Sequence, residues 1–220
     1  IWSSAFTSAR IIVTDAPAIL ALSLRFLISG MVGIAIARML GQTWRLTPAQ
    51  WKATIVFGIC QNALYLGLNF VAMQSIEASL ASIIASTMPL AVGFAGWVMF
   101  GERLSWIGIL GLFAGTLGVA LIMGARMQEG VDLFGIILCF IAVASLTVAT
   151  LMVRGASSGG NLLMIIGLQM LVGSALLAIP GLILEHKVVV WSSKLIIAFS
   201  YTVLMPGLVA TFIWFWLVRR

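Results

Sequence analysis

The chain is a succession of apolar runs of about 20 residues, the length a helix needs to cross a bilayer, and no other feature limits its fold as tightly. The runs fall at about 1–14, 17–39, 50–73, 77–100, 104–124, 133–153, 161–183 and 195–218. Only short polar connectors separate them. Soluble domains carry roughly 25% charged residues; here the figure is 8%, with 62% hydrophobic residues. The expected fold is an all-α polytopic membrane protein. The alternating ten-residue segments of a membrane β-barrel are missing from the sequence.

The first run would rise only about 21 Å, short of the roughly 30 Å hydrocarbon core, and Arg220 follows directly on the eighth run. Both ends read as truncated. Ile1 to Thr14 lacks a basic leader and is interrupted by serines and Arg10, so no cleavable signal peptide is expected.

The net charge of +6 comes from Lys and Arg scattered over short loops, not from a patch suited to nucleic acid. Their distribution reports topology instead. With residue 1 on the cytoplasmic side, the inner loops and ends hold Arg38, Arg45, Lys52, Arg103, Arg154, Arg219 and Arg220 against one acid, Glu102. The outer side then holds Arg10, Arg126, Lys187 and Lys194 with Asp15, Glu77, Glu129, Asp132 and Glu185. The positive-inside rule favours that orientation. Cys60 and Cys139 lie inside spans, where they are expected as small packing residues and not as a disulfide.

GARMQEGVD, residues 124–132, is the polar connector best suited to divide the chain into halves, 1–124 with spans one to five and 125–220 with spans six to eight. A shift of 144 residues lays Arg154 over Arg10, Gln169 over Arg25 and Ser174 over Gly30. With three more residues inserted, LVATFIWFWLVRR (208–220) lies over QNALYLGLNFVAM (61–73). An odd number of spans per half turns the second half upside down. Such inverted repeats place a transport site near the membrane midplane, between the halves. On that logic the second half lacks its last two spans.

IWSSAF at the start, PAILALSLRF, ASLASIIASTMPL and GERLSWIGILGLFAGTLGVALI together resemble the EamA domain of the drug/metabolite transporter superfamily. The resemblance covers most of the first half and part of the second. It implies two inverted five-helix repeats, ten helices in full, and metabolite export from the bacterial cytoplasm across the inner membrane. Within the superfamily the YddG-like amino-acid exporters are the nearest type.

Three spans have informative faces. In the third, Asn62, Tyr65 and Asn69 share a side with Gly58 and Met73, and asparagine is costly in hydrocarbon without a partner. Either these residues join helices or they line a cavity for a small zwitterion. In the fourth, Ser75, Ser79, Ser82 and Ser86 form a stripe of small polar residues that runs on to Pro89. Ser75 and Ser79 fit helix packing. Ser82, Ser86 and Thr87 are the candidates for touching cargo, because Pro89 should free the Ala85 carbonyl. In the eighth, Thr211 and Trp214 are cavity candidates, and Pro206 marks a second break or hinge. Arg25 is the one charge well inside a span. It is read as paired to carbonyls or snorkelling outward, with a substrate carboxylate as the alternative. Gly108, Gly111, Gly115 and Gly118 make a packing groove on the fifth span.

No Asp or Glu falls inside a predicted span beyond Glu77 at the very start of the fourth, which disfavours a proton relay and fits facilitated efflux. The leading reading is an alternating-access exporter of amino acids or similar metabolites, with the lipid bilayer and a small molecule as partners. No nucleic acid, metal or cofactor is implied, and a monomer is compatible with it. A multidrug carrier remains an alternative, as does a sugar-phosphate or nucleotide-sugar carrier, although such anions call for several cavity cations. An intramembrane enzyme would need clustered ligands or a Ser-His pair, and the single histidine, His186, sits in a loop.

Overall fold

A computed structural model describes residues 2–102, 105–127, 132–152 and 159–209. Among the described residues the fold is all-helical, and six helices are long and apolar enough to cross a membrane. In chain order the helices are α1 (Trp2–Asp15), α2 (Ala18–Met39), α3 (Pro48–Ala72), α4 (Ala78–Phe100), α5 (Trp106–Met127), α6 (Leu133–Met152), α7 (Leu162–Leu184) and α8, which begins at Ser193. The expected span limits are recovered within a few residues, apart from the end of the eighth, which lies outside the described residues.

Three features depart from plain α-helix. The middle of α3, Gly58–Leu66, winds as a π-helix, with hydrogen bonds that skip one residue further than in an α-helix. α8 does the same from Val203 to Val209, after an α-helical Ser193–Thr202. The third departure is a break: α4 stops at Ala85 and resumes at Met88, with Ser86 and Thr87 between.

α2 and α7 form the most extensive helix pair and run antiparallel. Leu20 meets Gly181 near one end, Ser23 meets Ser174, and Gly30 meets Gly167 further along. The approach is close because these glycines lack a Cβ. One built at Gly30 would lie 3.0 Å from the Gly167 carbonyl oxygen, and one at Gly167 would lie 3.1 Å from that of Gly30. α3 packs on α6 and α7, while α8 packs on α1 and α2. A core of Ile12, Leu22, Phe26, Phe70, Met73, Ile84 and Cys139 joins α1, α2, α3, α4 and α6.

Element boundaries echo across the halves. Ala18 and Leu162, where α2 and α7 begin, lie 144 residues apart. The hydroxyl caps Thr47 and Ser192 lie 145 apart, as do Gly58 and Val203, where each π-helical stretch opens. Thr47 caps α3 through a reciprocal bond with Gln50, and Ser192 caps α8 by accepting from the Leu195 N–H at 3.0 Å.

α5 lies outermost. None of its most apolar stretch is buried, and it touches the rest chiefly through α4, where Gly115 receives Leu90. Gly111 and Gly118 face open space, so the glycine groove is filled at one position among those three.

Candidate functional site

The site is built around the break in α4. Ser86 Oγ donates to the Ile83 carbonyl at 2.6 Å and Thr87 Oγ1 to the Ile84 carbonyl at 2.6 Å. Ser82 Oγ reaches the Ser79 carbonyl at 2.8 Å in the same way. Each hydroxyl bonds three residues back, drawing carbonyls away from the regular α ladder. Pro89 occupies the first turn of the resumed helix, where its missing N–H costs no bond. Ser86 and Pro89 are exposed, whereas Ser82 and Thr87 are half-buried. Ser79 is turned to Glu77 and Ser75 to the Ala72 carbonyl.

Tyr65 joins α3 to this break. Its buried ring packs on Ala142 and Leu146 of α6, with Ala85 and Met88 from the two sides of the α4 interruption against the same cluster. Among the described residues its hydroxyl makes no hydrogen bond. Asn62 and Asn69 have different neighbours. Asn62 Nδ2 donates to the Gln169 carbonyl of α7 at 2.9 Å, and its Cβ rests where Gly173 has none. Asn69 Nδ2 donates to the Tyr65 carbonyl at 2.7 Å, and its Oδ1 faces the Cys139 thiol at 3.5 Å. Cys60 and Cys139 are free thiols. The face that looked continuous at α-helical spacing is split by the π winding, since a longer hydrogen-bond step changes where residues three and four apart point.

Arg25 is 7% exposed and makes no hydrogen bond or ion pair among the described residues; its Nε is buried without a partner. Among the described residues it reaches no carbonyl, and its guanidinium lies 5.5 Å from the centre of the Phe26 ring. Pro206 lies inside the π-helical stretch of α8, whereas Thr211 and Trp214 lie outside the described residues.

The structure adds a groove that sequence reasoning missed. It lies between α1 and α8, has a volume of about 490 Å³, and is edged by Ser4, Thr7, Ser8, Lys194 and Tyr201. The Ser4 and Tyr201 hydroxyls lie 2.7 Å apart. Ser4, Thr7 and Ser8, three and four residues apart, were the available signal.

Charge sits at the membrane faces. Arg10 donates to the Met73 carbonyl at the C-terminal end of α3, where a cation suits the helix dipole. Asp132 caps α6 by accepting from the N–H groups of Phe134 and Gly135, at 3.1 and 3.3 Å. The Ser75 hydroxyl, ahead of those backbone groups, holds this exposed carboxyl below its ordinary value.

A match to the EamA-like transporter family covers residues 1–124, more than half of the 220. The chain belongs to that family. Beyond the EamA match, it is 24% identical over 196 residues to the Uncharacterized transporter YvbV of Bacillus subtilis (strain 168), covering 89% of this chain and 64% of that protein. The WAT1-related protein At3g02690, chloroplastic, of Arabidopsis thaliana is 23% identical over 227 residues, 98% of this chain and 54% of its own length. The Uncharacterized transporter sll0355 of Synechocystis is 26% identical over 125 residues, 56% and 37% respectively. The chain thus spans less than two thirds of the length of each of these relatives. No solved structure gives a significant match. EamA membership accounts for a multi-pass membrane protein of transporter type, and the helical fold accords with it.

Proposed function

We propose that the protein exports small metabolites, amino acids foremost, from the bacterial cytoplasm by alternating access between inverted halves, with residue 1 on the cytoplasmic side. The observation that carries this is Tyr65 standing at the α4 break, a buried aromatic with an uncommitted hydroxyl beside an interrupted span. Non-helical backbone at membrane depth is stable where protein, water or cargo satisfies it. Tyr65, Ser82, Ser86 and Thr87 then face the cargo, together with Thr211 and Trp214 of the eighth predicted span. Pro89 and Pro206 serve as hinges, and Asn62 and Asn69 brace α3 against α7 and α6 from behind.

The repeated boundaries at 144 and 145 residues support the inverted-repeat reading. So does the packing: α3 on α7 has its counterpart in α8 on α2, and α3 on α6 has its counterpart in α8 on α1. The transporter names of two relatives support carriage of a solute. The YddG-like assignment fits a cavity with hydroxyls and an aromatic ring but few charges.

Flux into proteoliposomes decides the matter, using labelled amino acids, sugar phosphates and cationic drugs in parallel. Amino-acid flux without a proton gradient is expected. Flux of cationic drugs alone would favour a multidrug carrier, and no flux of any solute would remove transport itself.

A further inference from the structure

Each end of the α2/α7 pair carries a cap donated by the opposite half. The loop after α7 lays Glu185 on the first turn of α2. Its carboxylate accepts the Ile19 N–H at 2.9 and 3.0 Å and the Leu20 N–H at 2.9 Å. The loop after α2 lays Gln42 on the first turn of α7, where its Oε1 accepts the Met164 N–H at 3.0 Å. Asn161 Oδ1 accepts the Thr43 N–H at 3.0 Å beside it. Leu20 and Met164 differ by the 144 residues that separate the two helices, and Gln42 and Glu185 differ by 143. Each loop therefore caps the helix of the other half that corresponds to the one it follows.

The two caps are chemically unequal. Glu185 places a full negative charge at the positive end of a helix dipole and takes two of the first-turn N–H groups. Its loop is tied further. Lys187 Nζ donates to the Val13 and Thr14 carbonyls, the Val190 N–H to the Asp15 carbonyl at 2.8 Å, and Ser192 Oγ to the Asp15 carboxylate at 2.8 Å. Gln42 offers a neutral amide, and its Nε2 is buried with no hydrogen-bond partner among the described residues. Charge-assisted hydrogen bonds are roughly twice as strong as neutral ones.

We propose that Glu185 and Gln42 are unequal latches at opposite faces of the membrane, and that the stronger Glu185 latch keeps the outer face closed at rest. The resting protein then opens toward the cytoplasm, the side from which an exporter must load. This rests on the inverted-repeat and orientation readings above.

Maleimide labelling of a Thr87→Cys reporter at the α4 break, in a background with Cys60 and Cys139 replaced by Ser, tests it without any substrate. An impermeant maleimide is applied to intact cells and to inside-out vesicles. The reporter should label slowly from outside and quickly from the cytoplasmic side. Glu185→Ala should raise outside labelling about fivefold or more, a shift within reach of one charged hydrogen bond. Glu185→Gln should fall between, and Gln42→Ala should leave outside labelling low. Unchanged labelling in Glu185→Ala, with thermal unfolding retained, would overturn the latch. So would an equal rise from both sides, which marks a loosened fold. If Glu185→Ala raised labelling only from the cytoplasmic side, the latch would stand and the orientation reading would fall.

Discussion

Asn62 commits its side-chain amide to the backbone of α7, and Gly173 opposite it leaves the room that makes this possible. Two predictions follow from that contact and its neighbour. Gly173→Ala places a methyl group against the Asn62 side chain and should destabilise by about 1 to 3 kcal/mol, read as a lower unfolding temperature in detergent. Asn62→Ala should cost less, about 0.6 to 1.7 kcal/mol, the range for interhelical hydrogen bonds in membranes. Tyr65→Phe separates packing from recognition, because the ring contacts with Ala142 and Leu146 survive without the hydroxyl. Unfolding should hold while the KM for the transported solute rises. An unchanged KM would leave Tyr65 as a packing residue only. None of these partnerships was legible in the sequence. Three and four residue spacing placed Asn62, Tyr65 and Asn69 on one face, whereas across the π winding Asn62 bonds α7 while Tyr65 and Asn69 both meet α6.

At the scale of the element, apolar run lengths made most helix limits readable, since a span must match the bilayer. The interruption of α4 was readable from Pro89, although it falls at Ser86 and Thr87, just before the proline. The π stretches were not, because winding is set by packing against neighbouring helices and leaves no period in the residues. The α6 cap supplies a prediction in pH. The Asp132 carboxyl is held below its ordinary value, so its contribution is complete above the unfolded carboxyl value, about 3.9, and is lost as pH falls through the folded one. Unfolding temperature measured on descending pH should therefore fall more for the native protein than for Asp132→Asn, whose amide still caps without titrating. Ser75→Ala should move the native decline to higher pH.

For the whole molecule, the α2/α7 contacts join residues that the proposed shift of 144 residues relates to one another. Under it the Ser23–Ser174 contact maps onto the Gly30–Gly167 contact, since Ser23 corresponds to Gly167 and Gly30 to Ser174. On the proposed inverted-repeat reading, the two contacts straddle the point about which the halves would exchange. In an inverted repeat that works by trading conformations between halves, contacts on that axis are common to both states, whereas contacts far from it must change. The α2/α7 crossing should then behave as a fixed frame. Ser23 Oγ donates to the Ser174 carbonyl at 2.9 Å, Ser174 Oγ donates to the Ser23 carbonyl at 2.8 Å, and the two hydroxyl oxygens lie 3.2 Å apart. A Ser23→Cys, Ser174→Cys pair should form an intramolecular disulfide on mild oxidation, detected as a thiol loss by mass. Solute flux in proteoliposomes should survive that cross-link within about twofold, because it freezes a contact that the exchange leaves in place. Flux that stops on oxidation and returns on reduction would show that α2 and α7 slide past each other, and the frame would have to be sought in another helix pair.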